Sequence, residues 1–298
     1  MTRQRPPIRP WLRLFVATVG LLGVAAAPVA CGGADAGDDD AGADDAGADE
    51  AASSVDCDAS VSPTAMHAEV IEERPHDPAA FTQGLLMLDG QLYESTGIEG
   101  ESTIRQVDPD TGEVLRSVDL RADQFGEGLT NIGDDRLVQL TWTDGTALLW
   151  DRATFEPLGE HRYDGEGWGI TTMDDGRLVM SDGSDTLAVR DPEDFTVIDR
   201  WPVTRSNGPA DRLNELDWDG THLWANRWKT DEIVRIEPRC RRVDGVVDAA
   251  DLTDLATQAA GGRPIDVLNG IAHVPGTDRF LVTGKDWPVM FEVRFVPS

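Results

Sequence analysis

The chain has 298 residues and carries 55 acidic against 26 basic side chains, which gives a formal net charge of -29. This charge argues against a nucleic-acid-binding protein, because contacts with phosphate backbones require a basic surface. From about Thr64 onwards the composition is that of a folded domain, and a domain of this size buries roughly 70% of its unfolded surface.

Residues 1–30 have the features of a signal peptide. A leader with four arginines precedes an apolar stretch, 14–27, that is shorter than the ~20 residues of a membrane span. Cys31 follows Ala30 directly after this stretch, which indicates a bacterial lipobox with a lipidated thiol, although Pro28 replaces the usual leucine. Ordinary cleavage after Ala27 is the alternative. We therefore predict an exported protein that is lipid-anchored to the bacterial cell envelope through Cys31, or else secreted.

Residues 31–65 are predicted to form an acidic, disordered tether. Residues 34–58 consist almost entirely of Ala, Gly, Asp and Glu, so this segment has little apolar surface to bury and repels itself. If Cys31 carries the lipid, Cys57 and Cys240 are the two remaining cysteines. Disulfides persist in the oxidising environment that an exported protein meets. The two cysteines either form a disulfide or stay two unpaired thiols, and the sequence leaves both open. The cysteine spacing matches no zinc pattern, and we predict no metal ligands.

Five short runs share one pattern, in which a polar or aromatic residue is followed by a second residue, in four cases glycine, and then by an aliphatic one. Their first residues lie 44, 41, 46 and 55 positions apart. A period of about 45 with strand character is typical of β-propeller blades. The runs are Gln83–Leu85, Glu127–Leu129, Trp168–Ile170, Asn214–Leu216 and Asn269–Ile271.

The residues after each run predict three further strands. A turn such as Asp89-Gly90 leads into a second strand, which is a hairpin signature, and two more strands follow. We therefore predict an all-β, five-bladed β-propeller with four-stranded blades over residues 66–298. The fifth repeat ends after its third strand, and residues 68–72 resemble the fourth strands of the others. This N-terminal strand is predicted to close the last blade, which would remove exposed sheet edges.

The repeat is predicted to bring polar and aromatic residues together at one mouth of the central channel, where first strands begin and second strands end. A single carboxylate, that of Glu127, lies among them, and burial between rings would make it hold its proton more tightly. Such tuning suits a general acid–base, although the same residues would also suit a water-filled channel without chemistry. The predicted ring comprises Phe81, Gln83, Phe125, Glu127, Trp142, Trp168, Asn214, Trp228, Asn269 and Lys285.

Seven motifs in this order resemble the plant and bacterial type of glutaminyl-peptide cyclotransferase. The resemblance covers about residues 66–298 and departs from the family in the acidic tether and in an insertion around residues 239–262. The motifs are Phe81-Thr82-Gln83-Gly84-Leu85, Phe125-Gly126-Glu127-Gly128-Leu129-Thr130, Gly167-Trp168-Gly169, Leu213-Asn214-Glu215-Leu216, Trp224-Ala225-Asn226-Arg227-Trp228, Val267-Leu268-Asn269-Gly270-Ile271 and Gly284-Lys285-Asp286-Trp287-Pro288.

The resemblance implies a five-bladed propeller that cyclises N-terminal glutamine to pyroglutamate and releases ammonia. It implies that Glu127 is the acid–base and that catalysis requires no cofactor. It also implies a substrate pocket at the matching family positions. Whether the channel holds a structural cation is left open. The implied pocket residues are Phe81, Gln83, Phe125, Trp142, Trp168, Asn214, Trp228 and Lys285.

The expected partners are peptide or protein N-termini that begin with glutamine. We expect no nucleic acid, contact with a membrane only through a lipid anchor, and a monomer. A tethered propeller that binds peptide or glycan without chemistry is the alternative function, and the lone carboxylate among rings argues against it. A purely structural repeat protein is a weaker alternative, because its axis-facing residues should be small and apolar.

Overall fold

The computed structural model describes Cys57 and residues 62–298. The predicted signal peptide, Cys31 and most of the predicted tether lie outside the described residues. The described part contains 22 strands and one α-helix, so the prediction of an all-β fold is confirmed. The first strand begins at Thr64, two residues before the predicted start of the domain.

The strands form sheets of four in chain order, each antiparallel to the next, like the blades of a propeller. The first unit contains β2 (Thr82–Leu88), β3 (Gln91–Thr96), β4 (Thr103–Val107) and β5 (Val114–Asp119). The second contains β6 (Gly126–Ile132), β7 (Arg136–Thr141), β8 (Thr146–Asp151) and β9 (Pro157–Arg162). The third contains β10 (Ile170–Thr172), β11 (Leu178–Met180), β12 (Thr186–Arg190) and β13 (Val197–Pro202).

The remaining strands join in one larger sheet, in which β1 (Thr64–Pro75) is central. The fourth unit contains β16 (Leu213–Trp218), β17 (Leu223–Arg227), β18 (Glu232–Glu237) and β19 (Arg242–Asp248), and a hairpin of β14 (Thr204–Arg205) and β15 (Gly208–Pro209) precedes it. The last unit contains β20 (Leu268–His273), β21 (Arg279–Gly284) and β22 (Val289–Pro297). Strand β1 pairs antiparallel with β22 and parallel with β19.

The predicted pairing of residues 68–72 with the last unit is therefore confirmed. In the antiparallel ladder Ala68 lies opposite Phe295, and Val70 lies opposite Val293. Because β1 precedes the first unit in sequence but is a strand of the last, the two ends of the folded chain are held in one sheet.

The hairpin between β2 and β3 shows how the sequence sets the local geometry. Asp89 and Gly90 both have positive φ, 51° and 72°, and Leu88 pairs with Gln91. This is the left-handed pair that a two-residue turn of type I′ requires, and Asp-Gly adopts it readily. The predicted hairpin is thus confirmed, and the turn fixes which residues of β2 and β3 face the core.

Five hydrophobic clusters among the described residues hold neighbouring units together. Leu86 and Tyr93 of the first unit pack with Leu137 and Phe155 of the second, and the next two clusters join the second to the third and the third to the fourth. Another cluster joins the fourth unit to the last, and the fifth packs the last unit against the first. Each fully buried large side chain contributes roughly 1.5–3 kcal/mol relative to an exposed one.

Close backbone packing near the strand starts depends on glycine. A Cβ atom on Gly84 would lie 2.5 Å from the backbone nitrogen of Leu129, and one on Gly128 would lie 2.7 Å from the carbonyl oxygen of Trp168. Gly84 and Gly128 stand at the same position of successive repeats, so glycine there lets adjacent units approach each other closely.

Glu215 stands at that position in the fourth unit. Its carboxylate is buried and accepts hydrogen bonds from the backbone nitrogens of Leu85, at 3.2 Å, and Ile271, at 2.9 Å. Burial raises the pKa of Glu215 well above its usual range, and the nearby Asp217 adds to the effect. Glu215 therefore links the first, fourth and last units across the interior.

Helix α1 (Ala250–Ala259) is an element that the repeat pattern does not predict. It lies within the predicted insertion and buries Leu252 and Ala256, one turn apart, against the cluster that joins the fourth unit to the last. Strand β19 also lies in the insertion, but it is the ordinary fourth strand of its unit. The extra length between the fourth and fifth repeats is thus largely the helix and its connections.

Cys57 and Cys240 form a disulfide, with their Cα atoms 5.3 Å apart. Cys240 lies between β18 and β19, so the bond attaches the segment before β1 to the fourth unit. The two cysteines are separated by 183 positions, and the chain-entropy model assigns about 5 kcal/mol to closing so long a loop. Within the described residues, no helix has the length and apolar character to cross a bilayer.

Candidate active site

The predicted site residues lie where first strands begin and second strands end. Gln83 and Glu127 are the second residues of β2 and β6, whereas Trp142, Trp228 and Lys285 directly follow β7, β17 and β21. Because consecutive strands of each unit are antiparallel, these positions all lie at the same end of the sheets. The geometry of the repeat thus gathers side chains that are far apart in sequence.

Glu127 is the buried acid of this site, with only 5% of its surface exposed. Gln83 Nε2 donates a hydrogen bond to Glu127 Oε1 at 3.2 Å. Asn269 Nδ2 in turn donates to Gln83 Oε1 at 3.4 Å and to the Thr82 carbonyl at 3.0 Å. Because the Gln83 oxygen is engaged by Asn269, its amide nitrogen is held towards the carboxyl group of Glu127.

The electrostatics of Glu127 favour its protonated form. Burial raises the pKa of Glu127 well above the usual value of a glutamate; the positive charge of Lys285 acts against this, and the negative charge of Glu166 adds to it. Lys285 is itself buried, which lowers its pKa, while Glu127 and Asp266 oppose that shift. A carboxyl group with a raised pKa can both accept and return a proton near neutral pH.

Aromatic rings form one wall beside Glu127. Lys285 Nζ lies 4.9 Å from the centroid of Phe81, the rings of Phe81 and Phe125 are 6.2 Å apart, and those of Phe125 and Trp142 are 5.7 Å apart. Each ring pair has the edge-to-face geometry that aromatic pairs prefer.

A second pair of rings belongs to the third and fourth units. Trp168 and Trp228 meet edge to face with their centroids 5.3 Å apart, and Lys229 Nζ lies 4.1 Å from the centroid of Trp228. Trp142 is 41% exposed and the other four rings are half-buried, so the rings lie between the interior and solvent. We use the name aromatic arc for the five rings of Phe81, Phe125, Trp142, Trp168 and Trp228.

Two glycines make room for the aromatic arc. A side chain at Gly97 would overlap the ring of Phe125 and crowd Gln83. Gly183 has a φ of 81°, and a Cβ atom there would lie 2.5 Å from the indole of Trp168. The ring positions therefore depend on glycines that precede or follow them by many residues.

Asn214 lies at the start of β16 and is 3% exposed. Its backbone carbonyl accepts a hydrogen bond from Ser181 Oγ at 2.6 Å, and its backbone lies against Gly169, next to Trp168. Among the described residues, Asn214 Oδ1 has no hydrogen-bond partner although it is buried. The oxygen of this amide is therefore a buried acceptor that the fold itself does not use.

The sequence-based expectation of a single carboxylate is wrong. Glu166 accepts hydrogen bonds at Oε2 from the indole nitrogens of Trp142, at 2.8 Å, and Trp168, at 2.9 Å. Glu215 is a further buried carboxylate, at the glycine position of its repeat. Glu166 lies in a loop outside the repeat pattern, which gave no signal for it, whereas the replacement of glycine by Glu215 was visible in the five aligned runs.

No group of three or more His, Cys, Asp or Glu side chains is arranged to hold a metal ion in the part of the chain that the structure describes.

Comparisons with known proteins agree with the resemblance. A family model described as glutamine cyclotransferase matches residues 46–295. The glutaminyl-peptide cyclotransferase of Arabidopsis thaliana is 41% identical over 232 residues, which cover 76% of this chain and 70% of that protein. The crystal structure of Myxococcus xanthus glutaminyl cyclase is 36% identical, superposes with a TM-score of 0.73, and is matched over 79% of this chain and 99% of that one. The chain belongs to the glutamine cyclotransferase family, and the enzyme class predicted from its sequence, glutaminyl-peptide cyclotransferase, is confirmed.

Proposed function

We propose that this enzyme cyclises the N-terminal glutamine of peptides and proteins to pyroglutamate with release of ammonia, and that Glu127 is its general acid–base. The observation that carries the proposal is a buried carboxyl group with a raised pKa, which accepts a hydrogen bond from one side-chain amide beside the aromatic arc. Such a group has a proton-transfer capacity that a passive binding channel does not need.

The reaction needs one proton to move between two nitrogen atoms of the substrate. The free α-amine attacks the side-chain amide carbon, and the new C–N bond closes a five-membered ring. The carboxylate of Glu127 takes the proton from the attacking nitrogen and delivers it to the amide nitrogen, and the old C–N bond then breaks as ammonia leaves. Glu127 ends in its starting state, so no further reactant is required.

Negative charge develops on the amide oxygen during this attack, and a buried donor stabilises it. Gln83 already donates to Glu127, whereas Lys285 and Asn214 each carry a buried side-chain nitrogen that can donate a hydrogen bond. We therefore assign this role to Asn214 and Lys285, and we assign to Gln83 the orientation of Glu127.

The aromatic arc supplies the substrate geometry. An N-terminal glutamine has several freely rotating bonds, and only a folded rotamer brings its amine to its own amide carbon. Holding that rotamer makes the attack well oriented, an effect worth roughly 7–11 kcal/mol in intramolecular reactions. Phe81, Phe125, Trp142, Trp168 and Trp228 offer flat apolar walls for the methylene groups of the side chain.

The proposal includes the architecture and the location of the enzyme. Each four-stranded unit is one blade of a five-bladed propeller, and β1 completes the last blade by pairing with β22. The ring is closed because the last unit packs against the first. The catalytic domain comprises residues 66–298, preceded by a signal peptide at 1–30 and an acidic tether at 31–65, with Cys31 as the lipid-anchored residue of an exported monomer.

The test is incubation of the purified protein with a glutamine-initiated tripeptide, with an ammonia assay and mass spectrometry of the product. We expect loss of ammonia from this peptide, and none from the same peptide with an acetylated amine, because the amine is the nucleophile. Tight binding of both peptides without ammonia release would instead support a non-catalytic binding protein.

A further inference from the structure

Glu166 joins the two halves of the aromatic arc. One carboxylate oxygen accepts the indole N–H groups of Trp142, at 2.8 Å, and Trp168, at 2.9 Å. Trp142 contacts Phe125 on one side, and Trp168 contacts Trp228 on the other. The carboxylate thus connects rings that belong to different units of the fold.

We propose that Glu166 is a positioning and specificity residue of the substrate site: its carboxylate fixes the two indoles, and its charge favours peptides with a basic residue directly after the N-terminal glutamine. This inference rests on the proposed function, because it concerns the substrate of the same site.

The positioning role follows from the exposure of Trp142. This side chain is 41% exposed, so contacts with its neighbours cover only part of the ring. Hydrogen bonds to an ionised acceptor are about twice as strong as neutral ones, and two of them to a single oxygen fix the angle between the two rings. Without that oxygen, the indole of Trp142 is free to adopt other rotamers on the exposed rim.

The specificity role follows from where the charge lies. Glu166 is exposed, and its negative charge acts on the buried Glu127, so it lies at the entrance of the site within electrostatic reach of the reacting groups. With the glutamine side chain beside Glu127, the residue that follows it must point back towards this entrance. A lysine there is attracted by Glu166, and a glutamate is repelled, by an amount that salt reduces.

The experiment compares Glu166→Gln and Glu166→Leu with the unmodified protein on three tripeptides, Gln-Lys-Ala, Gln-Ala-Ala and Gln-Glu-Ala. Glutamine keeps an oxygen acceptor but removes the charge, and leucine removes both. For Glu166→Leu we expect kcat/KM to fall at least about tenfold on all three peptides. For Glu166→Gln we expect kcat/KM on Gln-Ala-Ala to fall less than in Glu166→Leu, because one neutral acceptor remains, and a KM preference for Gln-Lys-Ala over Gln-Glu-Ala that shrinks by about three- to tenfold.

Asp164→Asn is the matched control. Asp164 is exposed in the same loop, so this variant removes one charge and touches neither indole. We expect the peptide preference of Asp164→Asn to stay close to that of the unmodified protein. Salt at about 0.5 M screens exposed charges, so it should weaken the preference of the unmodified protein more than that of Glu166→Gln.

Unchanged kinetics of Glu166→Leu would overturn the positioning role. A peptide preference that survives in Glu166→Gln, or that Asp164→Asn loses equally, would overturn the specificity role. If the unmodified protein releases no ammonia from any of the three peptides, the proposed function fails, and this inference fails with it. Activity of the unmodified protein with indifferent Glu166 variants would refute the inference alone.

Discussion

Two buried glutamates of this protein have opposite electrostatic environments. Glu94, in β3, and Glu127, in β6, are 1% and 5% exposed. Glu94 is bonded by Arg105 at 2.8 Å, by His76 at 3.1 Å and by Thr82 at 2.6 Å. Within residues 62–298, Glu127 receives one side-chain hydrogen bond, from the neutral amide of Gln83.

The pKa values of the two groups diverge accordingly. Burial alone raises the pKa of Glu94, but the charges of Arg105 and His76 outweigh it and lower the value to about 2. Burial raises the pKa of Glu127 well above its usual range, and Lys285 only partly offsets the shift. Equal burial therefore produces a permanent anion at one site, which stabilises the fold, and a proton-exchanging acid at the other.

The largest effect is expected from Glu127→Gln. The variant keeps the shape and the hydrogen-bonding capacity of the site but cannot accept a proton. Turnover of a glutamine-initiated peptide should fall by roughly 10²- to 10⁴-fold, the range typical of a general acid–base. An ammonia assay measures this, and residual turnover within about tenfold of the unmodified protein would remove Glu127 from that role.

Glu94→Gln should act on stability instead. It leaves the buried Arg105 with only the partly buried Asp77, at 2.9 Å, as an anionic partner, and removing one partner of a buried ion pair costs about 3–5 kcal/mol. Urea unfolding, monitored by circular dichroism, gives the change in the free energy of unfolding. A loss below about 1 kcal/mol would show that Glu94 is not the structural member of the pair.

Substituting two glycines of similar backbone conformation, one beside the site and one remote from it, separates an effect on activity from an effect on stability. Gly183 and Gly176 have φ of 81° and 82°, but a Cβ atom meets Trp168 at Gly183 and nothing within 4 Å at Gly176. Alanine should cost each protein about 1–2 kcal/mol of stability through backbone strain. Only Gly183→Ala should also reduce kcat/KM, by roughly 10- to 100-fold, because it displaces an indole of the site. Equal kinetics for the two variants would contradict the placement of Trp168.

The smallest effect is a pH-dependent difference in stability. The folded pKa of Glu127 lies above its unfolded value of 4.5, so its contribution is complete below pH 4.5 and declines as the pH rises through the folded pKa. Glu127→Gln lacks this decline and should become the more stable protein on raising the pH, by about 0.5–2 kcal/mol.

The corresponding curve for Glu94 should have the opposite slope. Its folded pKa of about 2 lies below 4.5, so its contribution is complete above pH 4.5 and is lost as the pH falls towards 2. Unfolding midpoints measured from pH 3 to pH 9 on both variants, relative to the unmodified protein, test the two slopes. Parallel curves would contradict the different environments of the two glutamates.

The sequence predicted the strands well because their signals are local and repeated. Alternating aliphatic residues and turns such as Asp89-Gly90 recur at each repeat, and the run at residues 68–72 had the composition of a fourth strand. Helix α1 interrupts that period once, and its two buried residues, Leu252 and Ala256, form too short a pattern to stand out.

The site was predictable only where it coincides with the repeat. Residues at strand starts and ends, such as Gln83 and Trp142, share positions that can be compared between repeats. Glu166 lies in a loop between β9 and β10, and its role depends on two indoles that only the folded chain brings within hydrogen-bond distance. Whether Cys57 pairs with Cys240 also depended on a distance that no spacing reveals.

The entry point of β1 has a consequence for how the enzyme meets its surroundings. Thr64 lies at the end of the sheets opposite to Glu127, because β1 runs antiparallel to β22, and Cys240, which holds Cys57, lies in a loop at that same end. The chain therefore enters the folded domain at the end of the sheets that is remote from Glu127. An attachment made through this end would leave the opening of the site unobstructed.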